Sequence, residues 1–145
     1  MKNWIRVIFA LNNKFDALTY SIDKQVEGMA ALLTVPTVDL FNAIIKLNDK
    51  KVRIINLRVL HDKMKESLSA KEFYIVDGYA RGVSLSEMGE KLSLGKGGAY
   101  RQLLRTIKKL TKILAYYGYT KERLDEEYKD VALVTRTYKK LLKAA

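Results

Sequence analysis

The scarcity of helix breakers limits this chain more than any other feature. Pro36 is the only proline in 145 residues, and four of the eight glycines fall between Gly89 and Gly98. Proline removes a backbone donor and glycine costs backbone entropy inside a helix, so where both are rare, helices run long. Apolar residues recur at steps of three and four. The expected fold class is all-α.

Residues 3–33 read as one long amphipathic helix. Trp4, Ile8, Leu11, Phe15, Leu18, Ile22, Met29 and Leu33 recur near a heptad period, with Asn12-Asn13 as the weak point. This stripe serves either the next helix of the same chain or a homodimer through the N-terminal helices. Pro36 ends the pattern, and Thr37 is placed to cap a second helix over 38–66, with Asp39 in its first turn. Asn48 to Lys51 mark a kink or short loop within it. Residues 1–67 therefore form an expected long-helix hairpin.

The next stretch changes character. Ser69 and Glu72 make an S-x-x-E capping box, and Gly82 ends that helix; Ser84 and Glu87 make a second box. Gly89 falls where another helix crosses closely, and Ser93-Leu94-Gly95 is a tight turn. A long helix then runs from about Lys96 to Tyr117. Short helix, turn and long helix make a helix-turn-helix module over 68–117. Gly118 is its C-terminal glycine, and 118–145 form a C-terminal helical extension begun by helices near Thr120 and Asp130.

The long helix carries the functional signal. At about 100° per residue, Arg101, Arg105, Lys108 and Lys112 share one face, while Ala99, Leu103, Ile107, Leu110, Leu114 and Tyr117 share the opposite one. No Asp or Glu occurs from Lys91 up to Lys121. Ordinary solvated faces mix signs to gain i,i+4 pairs. This face leaves its cations free, and phosphate is the matching partner, because neutralising it releases counterions. The helix N-terminus adds free N–H groups and a positive dipole end, with Gly97 and Gly98 bare of side chains. Lys96, Tyr100 and Arg101 are the candidate base readers, with Arg105 on bases or backbone, and Lys108 and Lys112 on phosphate. The expected partner is double-stranded DNA. The net charge of +11, from 27 basic and 16 acidic residues, agrees.

Other chemistry lacks a residue set. There is no cysteine, and His61 is the only histidine, with Asp62 and Glu66 beside it on what reads as a solvated face. No nucleophile–base set, P-loop or metal-ligand spacing can be assembled, so no enzyme activity and no cofactor are expected. The run Trp4 to Leu11 is interrupted by Arg6 and lacks a cleavage site, and no stretch approaches a membrane span; a cytoplasmic protein without a membrane partner is expected. The late tyrosines Tyr116, Tyr117, Tyr119, Tyr128 and Tyr138 are expected to pack the C-terminal helices onto the long one.

Residues Leu68 to Leu110 resemble region 4 of sigma-70-type transcription factors. The matching positions are Leu68, Lys71, Glu72, Ile75, Val76, Gly82, Ser84, Glu87, Met88, Gly89, Leu92, Leu94, Leu103, Arg105 and Leu110, without a gap. LuxR-type regulators share much of the pattern. The chain departs from it at Gly95, where the family has a capping Ser or Thr, and at Gly97 and Gly98, where it often has polar residues. In size and layout the chain is similar to small phage and prophage regulators of the ArpU type. The resemblance implies a sigma-factor-like regulator of transcription without a promoter-melting module. It also implies contact with RNA polymerase, through Phe73, Val76 and Tyr79. The competing expectation is an oligomerisation or adaptor protein whose basic helix docks only non-specifically on nucleic acid; a third is an RNA-binding module.

Overall fold

A computed structural model describes residues 1–32 and 37–144. All regular structure among them is helical. The elements are α1 (Lys2–Ala10), a 3-10 turn (Asn12–Lys14), α2 (Phe15–Ala31), α3 (Val38–Glu66), α4 (Ala70–Ala80), α5 (Leu85–Lys91), α6 (Gly95–Tyr116), α7 (Lys121–Glu127) and α8 (Ala132–Ala144).

The single helix expected over 3–33 is two helices. The chain turns at Leu11 to Lys14, where the Lys14 N–H donates to the Leu11 carbonyl in a tightened turn. Asn12 and Asn13 favour this break, because their short polar side chains compete with helical backbone bonds. The apolar stripe keeps its phase across the turn, so periodicity alone conceals it. The break sends α1 away from α2. α1 packs on α4, α6 and α8, whereas α2 lies along α3. Trp4, Ile8, Leu11, Phe15 and Ile22 are all buried within the chain's own core. The intrachain reading of that stripe is therefore the one the packing supports.

α3 is continuous for 29 residues, so no loop interrupts it at Asn48 to Lys51. Thr37 caps it, its hydroxyl accepting from the Leu40 N–H at 3.2 Å. The expected break at Pro36 lies outside the described residues. Ile54, Leu57, Leu60, His61 and Met64 form its buried face. His61 is thus not on a solvated face. It is enclosed, edge-on to Phe9 at 4.9 Å between ring centroids, with Nδ1 3.1 Å from Asp62. Its helical neighbours Leu57 and Met64 share that face, so helical phase places it inside.

Tertiary links fix α1 and the C-terminal helices around this core. The Trp4 indole donates to Asp125 at 2.7 Å, and its ring packs on Tyr138. Tyr128 is fully buried and donates its hydroxyl to the Arg53 carbonyl at 2.7 Å; burial pushes its phenol well above the ordinary value. Arg53 also grips Asp130, which holds that carboxyl below the usual range. Arg6 is buried, with its guanidinium over the Tyr79 ring at 4.4 Å, and its Nε donates to the Tyr79 carbonyl at the C-terminal end of α4. That helix end favours a cation, which accounts for Arg6 without a carboxylate. The late tyrosines divide: Tyr119 and Tyr128 are buried and Tyr138 half-buried, but Tyr116 and Tyr117 are exposed. Tyr117 therefore does not belong to the core stripe of α6.

Candidate nucleic-acid interface

The site is built by the way α4, α5 and α6 stop and start. Ser69 forms a complete capping box on α4, with Glu72 Oε1 accepting from the Ser69 N–H at 2.9 Å and the Ser69 hydroxyl accepting from the Glu72 N–H at 3.2 Å. At Ser84 only half of the second box forms: the hydroxyl accepts from the Glu87 N–H at 3.1 Å, with no return bond from Glu87. Helices α4, α5 and α6 all end in the same motif, with a left-handed residue at Gly82, Ser93 and Gly118. In each case the next N–H reaches back five residues: Val83 to Gly78, Leu94 to Gly89 and Tyr119 to Leu114, at 2.8–2.9 Å. Two of these are glycine stops readable in the sequence. The third uses Ser93 at φ 58°, and it shapes the turn before α6.

Gly89 meets its expected role. A Cβ there would stand 2.2 Å from the Gly95 carbonyl oxygen and 2.5 Å from its carbon, so only glycine lets α5 meet the start of α6. Gly78 has a similar role in the preceding helix, under the Met88 sulfur. Gly95 follows with φ 68°. No side chain caps α6, and its first turn holds no acid. With Gly95 at this position, the first N–H groups of a 22-residue helix have no side-chain cap among the described residues.

Along α6 the buried stripe is Ala99, Leu103, Thr106, Ile107, Leu110 and Leu114. Thr106 donates to the Gln102 carbonyl at 2.8 Å, which satisfies its buried hydroxyl. Opposite this stripe, Arg101, Arg105, Lys108 and Lys112 are exposed, and Lys96 is exposed in the first turn. None of the five has a carboxylate within ion-pair distance among the described residues; Lys109, beside them, is bound to Glu72 at 3.2 Å. The Ser69 N–H and then Lys109 hold the Glu72 carboxyl below its usual range. Lys109 is thus tied into the α4 cap, and the other five cations are left to solvent.

The two inner glycines differ. Gly97 is open, with only the Arg101 guanidinium near a Cβ built there, at 3.9 Å. Gly98 is half-buried, and its Cβ would press on Leu94 at 3.0 Å. Gly98 therefore serves the turn, while Gly97 offers bare backbone. Tyr100 and Leu104 are exposed beside the basic stripe. Leu104 has no role by sequence alone, although its position between Arg101 and Arg105 on the helix could have supplied one.

A shallow groove lined by Arg105, Lys108, Lys109, Lys112 and Ile113 shares Lys112 and Ile113 with a second. The second adds Lys63, Glu66, Ser67, Tyr116 and Tyr117 from the ends of α3 and α6. Sequence alone does not single these residues out, because only the fold brings the end of α3 beside α6. Phe73, Val76 and Tyr79 do not form a free surface. Val76 is in the core, Phe73 packs toward Phe9 and under Lys65, and Tyr79 carries Arg6 and Lys2.

Among the described residues, no group of three or more His, Asp or Glu is placed to hold a metal, and no helix is long and apolar enough to cross a membrane. The chain matches no protein-family model, no curated protein and no solved structure.

Proposed function

We propose that this chain is a sequence-dependent DNA-binding regulator of transcription, of sigma-70 region 4 type without a melting module. In this reading α5 and α6 act as a helix-turn-helix, with α6 laid in the major groove of duplex DNA. One observation carries it: five exposed cations on α6, none within ion-pair distance of a carboxylate among the described residues, on a helix whose N-terminal turn has no side-chain cap. Lys108 and Lys112 neutralise backbone phosphates. The free N–H groups at Gly97 receive another phosphate. Arg101 and Arg105 reach base edges, and Leu104 and Tyr100 supply apolar contact to thymine methyls. RNA polymerase is a second proposed partner; Val76 is buried and cannot serve that contact, and a pull-down with polymerase tests it.

The adaptor reading has its own support in an exposed apolar face on α3, described below. Fluorescence anisotropy with the full chain separates the two. The regulator reading expects a slope of log K on log salt of about −3, because three phosphate contacts contribute roughly −0.9 each. It also expects a selected duplex to bind at least about 1,000-fold more tightly than random sequence. Equal affinity for every duplex supports the adaptor reading. A flat salt response removes DNA binding altogether, and preference for structured RNA replaces the proposed nucleic acid.

A further inference from the structure

The outer face of α3 is apolar and uncovered. Val38, Phe41, Ile45, Val52, Ile55 and Val59 are between 40 and 76% exposed. Their spacing alternates three and four residues, with Asn48 filling the one remaining step. This is a coiled-coil seam of about three heptads, roughly 32 Å long. It lies about half a turn around the helix from the buried Ile54, Leu57 and Met64. One face of α3 is used by its own chain, and among the described residues nothing covers the opposite face. We propose that the seam pairs with the seam of a second copy running parallel, so that two α2–α3 hairpins form a four-helix bundle.

Three observations select a second copy. The first is the seam's chemistry. Its a positions are Val38, Ile45, Val52 and Val59, all β-branched, and its d positions are Phe41, Asn48 and Ile55, the apolar repeat of a helix-pairing seam. The second is Asn48, at a d position and midway along the seam. In a parallel pair it faces its own equivalent. A carboxamide is both donor and acceptor, so identical partners satisfy each other there. Antiparallel pairing sets Asn48 against an aliphatic residue and leaves it unsatisfied.

The third observation is charge. From Val38 to Lys63, each cation at a flanking e or g position is already paired within the chain: Lys51 with Asp23 at 2.6 Å, Arg58 with Asp16, and Lys63 with Glu66 at 3.8 Å. A chain of net charge +11 generally repels its own copy. Along this seam that repulsion is locally cancelled, so the face suits self-association and not a polyanion. The inference is independent of DNA binding. If both hold, the parallel arrangement sets the two α6 helices at one end of the assembly, as paired half-sites require.

The test begins with light scattering after size exclusion of the full chain at tens of micromolar. The expected mass is twice the 16.6 kDa of the chain. Ile45→Glu with Val52→Glu is expected to give the single-chain mass with unchanged helicity, because both side chains are exposed within the chain itself. The absence of native cysteine makes Asn48→Cys a clean register probe. Mild oxidation is expected to yield a covalent dimer from it, and none from Glu126→Cys on the surface of α7. A wild-type mass of one chain overturns the proposal and assigns the face to a different partner. A dimer that survives the double substitution overturns the seam. A dimer without the Asn48→Cys disulfide overturns the parallel register.

Discussion

Helices α3 and α6 are both long, both amphipathic and both bury one face in the same core, yet their outer faces differ in kind. On α6 the outer cations Arg101, Arg105, Lys108 and Lys112 have no ion-pair partner among the described residues, and only Lys109 is bound, to Glu72. On α3 the cations flanking the outer face are each held by a carboxylate, and the face itself is aliphatic. Unpaired charge suits a partner that brings the opposite charge; neutralised flanks around an apolar seam suit a partner that brings more of the same. A positive total charge cannot make this distinction. What decides is where the acids sit: Asp16 and Asp23 on α2 serve α3, and Glu72 reaches only Lys109 on α6.

The largest expected effect breaks the α6 side of this contrast at its base. Gly89→Ala drives a methyl into the Gly95 carbonyl, and neither backbone can yield without moving the turn. A loss of about 3 kcal/mol is expected, at the upper end for overpacking, measured by urea denaturation. DNA binding should fall with it, while the α3 seam, remote from the turn, still self-associates in whatever fraction stays folded. A wild-type midpoint would mean that α5 and α6 do not meet as described.

The next effect compares the two sets of arginines. Arg101→Ala is expected to cost about 1–3 kcal/mol at a selected duplex, because a base contact is lost. Arg58→Ala on α3 removes a charge of the same sign but one already bound to Asp16, and should leave affinity and salt slope unchanged. Anisotropy on both variants checks this. Equal losses would show that total charge, and not unpaired charge, sets binding.

The sequence carries much of this contrast and conceals some of it. Thr37, Ser69 and Gly89 can be read because each role depends on local backbone chemistry, namely a cap, a box and a close approach. The basic face of α6 is legible because its acids are missing from the sequence itself. Periodicity marks a stripe as apolar but does not say what covers it. The stripe through Trp4 and Phe15 suits a dimer as well as a core, and the core takes it. Ile45 and Val52, equally apolar and equally periodic, are exposed. The groove joining Lys63 to Tyr116 depends on α3 ending beside α6, a tertiary fact with no local signal.

Ser93 gives a smaller effect that sharpens the α6 side. It holds φ 58° at a position where α4 and α6 use glycine. A left-handed serine costs about 1 kcal/mol. Ser93→Gly is therefore expected to raise stability by about that amount in urea denaturation, with DNA affinity unchanged. A loss of stability would show that the hydroxyl or Cβ makes a contact worth more than the strain.

The smallest effect separates stability from binding at one residue. Gly97 lies in the first turn of α6 with helical backbone and open space where a Cβ would stand. Gly97→Ala should stabilise the fold by about 0.5–1 kcal/mol, the usual difference between the two residues in a helix. The same methyl would project beside the uncapped N–H groups and beneath Arg101. If a phosphate comes to that backbone, the variant binds DNA more weakly while folding more firmly. If affinity holds or rises with stability, the N-terminal turn takes no phosphate, and the interface is confined to the side chains from Arg101 to Lys112.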